Sequence, residues 1–309
     1  MKIPLINEET KKIAEIELPA QFNEPFRPDL IRRAVLTIKS NLRQPYGADP
    51  LAGKRASAKL SRRRRDYKGA YGYGISRVPR KIMSRRGTRM NWQGAFAPGT
   101  VKGRQAHPPK AEKIWTRKIN AKERRKAIRS ALNATLDRGL VAKNGHHVPE
   151  NYPFAIDYKA ETIGATKEFK SFCIKIGLKN ELLRTENIKI RAGKGTMRGR
   201  KYKMKKGPLF VVSEKCSMIS AAKNLPGVEV VTVDNLNAYR LSHDINPGRL
   251  TIFTDKAIER LKKENLYFER QKKEGVANPE KNRHKNQDIT VNKETPKRNV
   301  SQKTKRKGE

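Results

Sequence analysis

Four consecutive arginines, Arg62, Arg63, Arg64 and Arg65, open a stretch in which cations, aromatic rings and glycines are interleaved. The rings are Tyr67, Tyr71, Tyr73, Trp92 and Phe96, and the glycines stand at positions 69, 72, 74, 87, 94, 99 and 103. Guanidinium groups neutralise phosphates, flat rings stack on unpaired bases, and glycine lets a backbone come close to a ligand. That combination suits folded RNA better than duplex DNA, because RNA exposes unstacked bases and irregular grooves. Residues 44–111 hold 17 Lys and Arg against Asp49 and Asp66. Few Leu, Ile or Val occur there, and no helical or strand period persists. The expectation is a long extended segment with a binding role.

A second cationic glycine-rich stretch runs Arg191-Ala-Gly-Lys-Gly-Thr-Met-Arg-Gly-Arg-Lys-Tyr-Lys203. A mononucleotide phosphate loop needs four residues between its glycines and then Gly-Lys-Ser/Thr. Gly195 and Gly199 are separated by three residues, and Arg200 follows. The dinucleotide fingerprint fails too, since position 198 is arginine. Arginines on RNA phosphates are the better reading. Residues 189–206 carry nine Lys and Arg and no acid, and residues 270–309 carry 13 against five acids.

Catalytic constellations are not evident. His146 and His147 adjoin in a Gly/Pro-bounded loop without a carboxylate at a recognisable offset. His107 stands beside Pro108, and His243 precedes Asp244. All are expected to face solvent or RNA. Cys173 and Cys216 form no C-x-x-C pair and read as small buried hydrophobes. No metal or cofactor pattern emerges, so the expectation is no enzyme and no cofactor. A methyltransferase-like enzyme would need a Gly-rich turn after an early strand, and none is found.

The whole chain has a net charge of +41 over 309 residues. A chain this basic needs a polyanion. A membrane surface is disfavoured, because no segment approaches the roughly 20 apolar residues of a span. Met1 to Asn7 turns polar too early for a signal peptide, which points to the cytoplasm.

The elements that must hold these basic segments are legible in pattern. Residues 3–6 and 12–18 alternate as strands, joined by a turn at Asn7-Glu-Glu-Thr10. A helix should start near Pro28, with Ile31, Val35, Ile38 and Leu42 following at helical spacing, and stop before Gln44-Pro45-Tyr46-Gly47. The clearest helix is 121–137, capped by Asn120 with Glu123 reaching back, and ended by Gly139. Its inner face is Ile128, Ala131, Leu132, Thr135 and Leu136. The opposite face carries Lys122, Arg124, Arg125, Lys126 and Arg129, part of which could touch phosphate. A helix at 166–176 buries Phe169, Phe172, Cys173 and Ile176. The continuous apolar run at 208–213 reads as a strand covered on both sides, and 228–233 and 249–254 read as two more strands, with short helices at 217–224 and 255–265, the second capped by Thr254 or Asp255. The fold class is α/β: a globular body with a mainly parallel sheet flanked by helices, at 1–43 and 112–269. A long extended basic loop, 44–111, is inserted in it, and a basic C-terminal extension, 270–309, follows and should be disordered alone.

Five segments in order resemble the archaeal branch of the universal L-four family of large-subunit ribosomal proteins. They are Gly72-Tyr-Gly-Ile-Ser-Arg-Val-Pro-Arg80, Val101-Lys-Gly-Arg-Gln-Ala-His-Pro-Pro-Lys110, Ile119-Asn-Ala-Lys-Glu-Arg-Arg-Lys-Ala-Ile-Arg-Ser-Ala-Leu132, Ile190-Arg-Ala-Gly-Lys-Gly-Thr-Met-Arg-Gly-Arg-Lys-Tyr202 and Pro247-Gly-Arg-Leu-Thr-Ile-Phe-Thr254. The resemblance implies a structural constituent of the large ribosomal subunit that supports early assembly. Its loop would thread into large-subunit rRNA and reach the wall of the peptide exit tunnel. Neighbouring ribosomal proteins would be partners, including the universal L-twenty-two protein, with the nascent peptide as a further candidate contact. By that resemblance Arg77, Arg80, Arg85, Arg86, Arg89, Lys102 and Arg104 contact rRNA, with Gly72 to Arg89 near the loop tip. Lys194, Arg198, Arg200 and Lys201 bind from the second loop. His107 and Lys110 lie in a matching segment and join the candidates. Two departures stand out: Asp244-Ile245-Asn246 replaces a Gly-Gly pair common in relatives, and the tail past about 270 exceeds the shorter archaeal relatives. The alternative function is a free RNA-binding regulator, a translational repressor or RNA chaperone.

Overall fold

The computed structural model describes residues 1–7, 11–67, 69–87 and 89–268. The expected C-terminal extension, and residues 8–10 of the first turn, lie outside the described residues.

The chain opens with strands β1 (Lys2–Ile6) and β2 (Lys12–Glu17), followed by helix α1 (Pro28–Asn41). Strands β3 (Arg80–Arg86) and β4 (Arg89–Gly94) come next, then helices α2 (Ala121–Leu136) and α3 (Arg138–Lys143) and strand β5 (Ala155–Ile156). Helices α4 (Thr166–Lys175) and α5 (Lys179–Glu186) precede a short pair, β6 (Lys189–Ile190) and β7 (Tyr202–Lys203). The last third alternates: β8 (Leu209–Val212), α6 (Ser217–Ala222), β9 (Glu229–Thr232), α7 (Ala238–Leu241), the pair β10 (Ser242–His243) and β11 (Asn246–Pro247), β12 (Thr251–Thr254) and α8 (Asp255–Lys263).

Six strands form the central sheet in the order β2-β1-β5-β12-β8-β9. All neighbours are parallel except the edge pair β1 and β2. The apolar runs explain why helices cover both faces. In β8, Leu209 and Val211 enter one core while Phe210 and Val212 enter the other. The first core takes Ile31 and Val35 of α1, Ile128 and Leu132 of α2, Leu241 of α7 and Ile258 of α8. The second takes Val141 of α3, Phe169 and Phe172 of α4, Leu182 of α5 and Met218 of α6. The result is the mainly parallel, helix-flanked α/β body expected from the pattern.

Local details depart from the expectation in physically readable ways. Leu42 is exposed, because α1 ends one residue earlier and turns away. Asn120 sits at the N-cap of α2 without a side-chain hydrogen bond, and Glu123 pairs instead with Arg33 of α1 at 3.0 Å. Gly139 does not end that helix. It lies inside α3, whose N-terminus is capped by Asp137 accepting from the Gly139 and Leu140 amides. Thr254 does cap α8, accepting from the Ala257 amide. Asp244 adopts a left-handed φ of 63° in the two-residue β10–β11 hairpin. That is the conformation mirror-image hairpin turns need, and Asp tolerates it better than most residues other than Gly and Asn.

The largest correction concerns residues 44–111. A strand period does occur there: β3 and β4 pair antiparallel from Arg80↔Gly94 to Arg86↔Arg89, with a bulge between Ile82 and Ser84. The two arms of the segment also pair at their root. The Ala48 amide donates to the Pro109 carbonyl at 2.9 Å. A Cβ on Gly53 would fall 2.5 Å from the Arg104 amide, so only glycine lets the arms meet there. Among the described residues of 44–111, no side chain belongs to either core. The body should therefore stand without the distal loop. Replacing residues 54–103 by two glycines is expected to move the melting temperature by less than about 4 °C, the shift that roughly 1 kcal/mol gives. Loss of the cooperative transition in calorimetry would show that the loop is part of the core.

Candidate nucleic-acid interface

The first loop leaves the body through an aromatic clasp. Tyr46 and Trp115, one on each arm, have ring centroids 4.6 Å apart. The Arg43 guanidinium lies 5.1 Å from the first ring and 4.9 Å from the second. Asn41 exchanges two hydrogen bonds with the Arg117 backbone, at 2.9 and 3.2 Å, and the Ser40 hydroxyl donates to the Trp115 carbonyl at 2.8 Å. The end of α1 thus grips the returning arm.

Farther out, arginines lie on rings. Arg77 is 4.9 Å from the centre of Tyr71, Arg80 is 5.4 Å from Trp92, and Arg85 is 5.1 Å from Tyr67. Such pairs orient a guanidinium without neutralising it, so its charge stays available to a phosphate. Of the two acids in this segment, Asp49 is taken by Arg55 at 2.6 Å. The loop encloses a cleft of about 1040 Å³ between β3, β4 and residues 65–75. Arg65, Tyr73, Arg85, Arg86, Arg89 and Trp92 all line it. Arg62, Arg63 and Arg64 are exposed beside it, and Lys102, His107 and Lys110 are exposed along the returning arm. Arg104 lies 6.0 Å from the Phe96 ring. Asp66, Met90 and Asn91 also line the cleft and were not among the sequence candidates. An acid set among so many cations was the signal for Asp66.

The second basic loop is a hairpin closed by β6 and β7. Its turn is built from backbone bonds, with the Arg198 and Arg200 amides both donating to the Gly195 carbonyl. Lys194, Arg198, Arg200 and Lys201 are all exposed. Its root is held by buried Arg249 and half-buried Arg184. Arg249 donates to the Gly207 carbonyl at 2.8 Å and to Glu229 at 2.6 Å. Arg184 donates to the Lys206 carbonyl at 2.6 Å and clamps Glu181 in bidentate fashion through Nη2 and Nε, at 2.6 and 2.8 Å. A Cβ on Gly207 would lie 2.9 Å from Thr185 and 3.0 Å from the Gly227 carbonyl, so this junction is sterically closed. Burial, with Arg249 alongside, pushes the Lys206 ammonium down to about 8.

The histidines correct the expectation. His146 is buried, not solvent- or RNA-facing, with Nδ1 2.7 Å from Glu181. His243 is half-buried and meets the His146 ring edge-on at 5.5 Å. His107 and His147 are exposed as expected. Of the α2 cations, Arg124 is exposed and Arg125 half-buried. Arg129 turns inward to Glu24 at 2.9 Å and to the Tyr267 carbonyl at 2.7 Å, so it serves the body. Cys173 is buried, its thiol pushed up to about 12 by that burial, whereas Cys216 is only half-buried.

A cofactor crevice was the feature an enzyme reading required at the carboxyl ends of the parallel strands. There Glu161 accepts from the Ser213 amide and hydroxyl, at 3.1 and 2.9 Å, and from the Thr254 hydroxyl at 2.7 Å. It ties β8 to β12 across that end of the sheet. Among the described residues no group of His, Cys, Asp and Glu could hold a metal, and no helix is long and apolar enough to cross a membrane.

Fold and site together define a three-layer α/β body that carries two rigidly rooted, cation-rich loops. Residues 16–264 match the model of the Ribosomal protein L4/L1 family, and the chain belongs to that family. Proteins named large ribosomal subunit protein uL4 are similar over most of its length. The one from Nanoarchaeum equitans is 47% identical over 269 residues, covering 87% of this chain and 100% of the relative. That from Methanocaldococcus jannaschii is 43% identical over 264 residues, 85% of this chain and 98% of the relative. That from Archaeoglobus fulgidus is 41% identical, covering 84% and 98%.

The buried Glu181 makes the second loop's anchorage measurable. Burial alone would raise its carboxyl, but hydrogen bonds from Arg184 and His146 outweigh that and hold it at about 2. A carboxyl depressed from an unfolded value near ~4.3 stabilises the fold above that pH and loses its contribution as pH falls toward ~2. Glu181→Gln is expected to cost about 3 kcal/mol at pH 7 and to flatten the stability profile between about pH 4.5 and 2. Urea denaturation at pH 7 and pH 3 checks both; a variant as stable as the parent at pH 7 would remove Glu181 from the anchorage.

Proposed function

We propose that this chain is a structural constituent of the large ribosomal subunit. It binds large-subunit rRNA through the two basic loops and carries the first loop to the wall of the peptide exit tunnel. The observation that carries the reading is charge without internal compensation. Seventeen cations in residues 44–111 face Asp49 and Asp66 alone, and nine in 189–206 face no acid. The family membership and the relatives' shared name as large-subunit proteins support the ribosomal setting.

The division of labour follows from physics. The α/β body, 1–43 and 112–269, docks and holds both loops at fixed roots. The loop cations Arg62–Arg65, Arg77, Arg80, Arg85, Arg86, Arg89, Lys102 and Arg104 neutralise closely spaced phosphates and release counterions. Lys194, Arg198, Arg200 and Lys201 do the same from the second hairpin, with Arg124 and Arg125 of α2 at the edge of the contact. Tyr71, Tyr73 and Trp92 offer stacking surfaces. His107 and Lys110 contact rRNA along the returning arm. Neighbouring large-subunit proteins, the universal L-twenty-two protein near the tunnel among them, complete the surroundings, and the nascent peptide passes the loop tip. Neutralising repelling segments of rRNA early is how such a chain supports assembly. The role is structural, needs no cofactor, and is exercised in cytoplasmic ribosomes.

Sedimentation of a native lysate tests this. The chain is expected to co-migrate in stoichiometric amount with the large subunit and to remain there through a high-salt wash. Recovery mainly in light fractions, or stripping by modest salt, would favour a free RNA-binding regulator.

A further inference from the structure

The cleft of the first loop contains a group that phosphate binding does not explain. Asp66 lines it among cations, is exposed, and makes no ion pair among the described residues. A carboxylate repels phosphates, so a surface meant only for the RNA backbone gains nothing from it. Its geometry is nonetheless fixed. One oxygen accepts from the Ser61 hydroxyl at 2.7 Å and the other from the Tyr67 amide at 2.8 Å. Those bonds, the Ser61 one first, lower its pKa and keep it ionised. An ionised carboxylate has about four acceptor positions over its two oxygens, so one on each remains for an incoming pair of donors.

The rest of the cleft supplies the complementary groups. Tyr73 and Trp92 offer ring faces or edges, and Arg89 offers paired donors, while Arg85 is held on the Tyr67 ring with bonds to the Gly87 carbonyl and the Tyr67 hydroxyl. The volume of about 1040 Å³ is at the upper end of the range for ligand pockets, enough for a base and its flanking backbone. Among the four RNA bases, guanine alone presents adjacent donors, N1–H and the N2 amino group, on one edge, and adjacent acceptors, O6 and N7, on another. The donor pair matches a carboxylate and the acceptor pair matches an arginine fork. Adenine and cytosine present their amino group beside an acceptor that a carboxylate repels, and uracil has a single N3–H.

The geometry points to this cleft as a receptor for one unpaired guanine of the bound RNA, read by Asp66 on its Watson–Crick edge, by arginine on its O6/N7 edge, and stacked on the cleft's rings. This rests on the RNA-binding reading above and deepens it: the loop selects a base as well as neutralising a backbone.

The test uses the full chain and seven-nucleotide oligouridylates whose central position is U, G, inosine, A or C, followed by fluorescence anisotropy at several salt concentrations. The central G is expected to bind about ten-fold tighter than U, A or C, as one good bidentate pair gives. Inosine, which lacks the N2 amino group, is expected to lose most of that preference. D66N should abolish the preference, while D49N, the same charge change outside the cleft, should keep it. Salt-dependent binding with equal affinity for all five oligomers, or a guanine preference that survives D66N, would overturn the assignment and leave the RNA reading standing. Absence of salt-dependent binding to any of them would overturn both.

Discussion

A cation in a folded chain must lie near an acid, stay in water, or meet an anion from outside, and the fold is arranged around that constraint. The body solves it internally. Glu181 is clamped by Arg184, Glu229 by Arg249, and Glu24 by Arg129, each partner pair wholly or partly withdrawn from water. Buried carboxylates and arginines survive there because hydrogen bonds replace their lost solvation. The two loops have almost no acids with which to do the same. Their charge can be retained only on segments that leave the body, which explains why 44–111 and 189–206 protrude instead of packing.

Protrusion makes rooting decisive, because a loop is useful only if its cations arrive at defined places. The two roots use different chemistry for the same purpose. The first is a solvent-facing clasp of Arg43 on Tyr46 and Trp115, reinforced by Asn41 and the close passage of Gly53 past Arg104. The second is a buried polar junction in which Arg184 and Arg249 take the carbonyls of Lys206 and Gly207. That junction costs desolvation, which pulls the Lys206 and Arg249 groups down, while hydrogen bonds from Arg184 and His146 hold the Glu181 carboxyl low against it.

Much of this was legible in the chain. The period-3.6 faces of α2 and α4, the continuous apolar run at 208–213 and the strands read at 228–233 and 249–254 specify a parallel sheet flanked by helices. The basic, aromatic and glycine-rich character of the loops specified where charge would accumulate. The β3–β4 hairpin was obscured because its alternating residues are unusual. In β4, half-buried Met90 and Trp92 alternate with exposed Arg89, Asn91 and Gln93, a period of two written without Val or Ile. His146 was misread as surface because its partner, Glu181, is 35 residues away and only the fold brings them together. Arg249 at the head of an apolar run was the one visible sign of a buried charge, and its acceptors also come from distant segments.

If protruding cations are what the fold is built to present, they must meet phosphates. The most direct measurement is the salt dependence of binding between the full chain and its own large-subunit rRNA, compared with a variant in which Arg62, Arg63, Arg64 and Arg65 are all alanine. The slope of log affinity against log salt is predicted to become shallower by roughly 0.7–0.9 for each phosphate that the variant leaves unneutralised, with affinity falling for every RNA tried. An unchanged slope would place those arginines in water and contradict the role assigned to them.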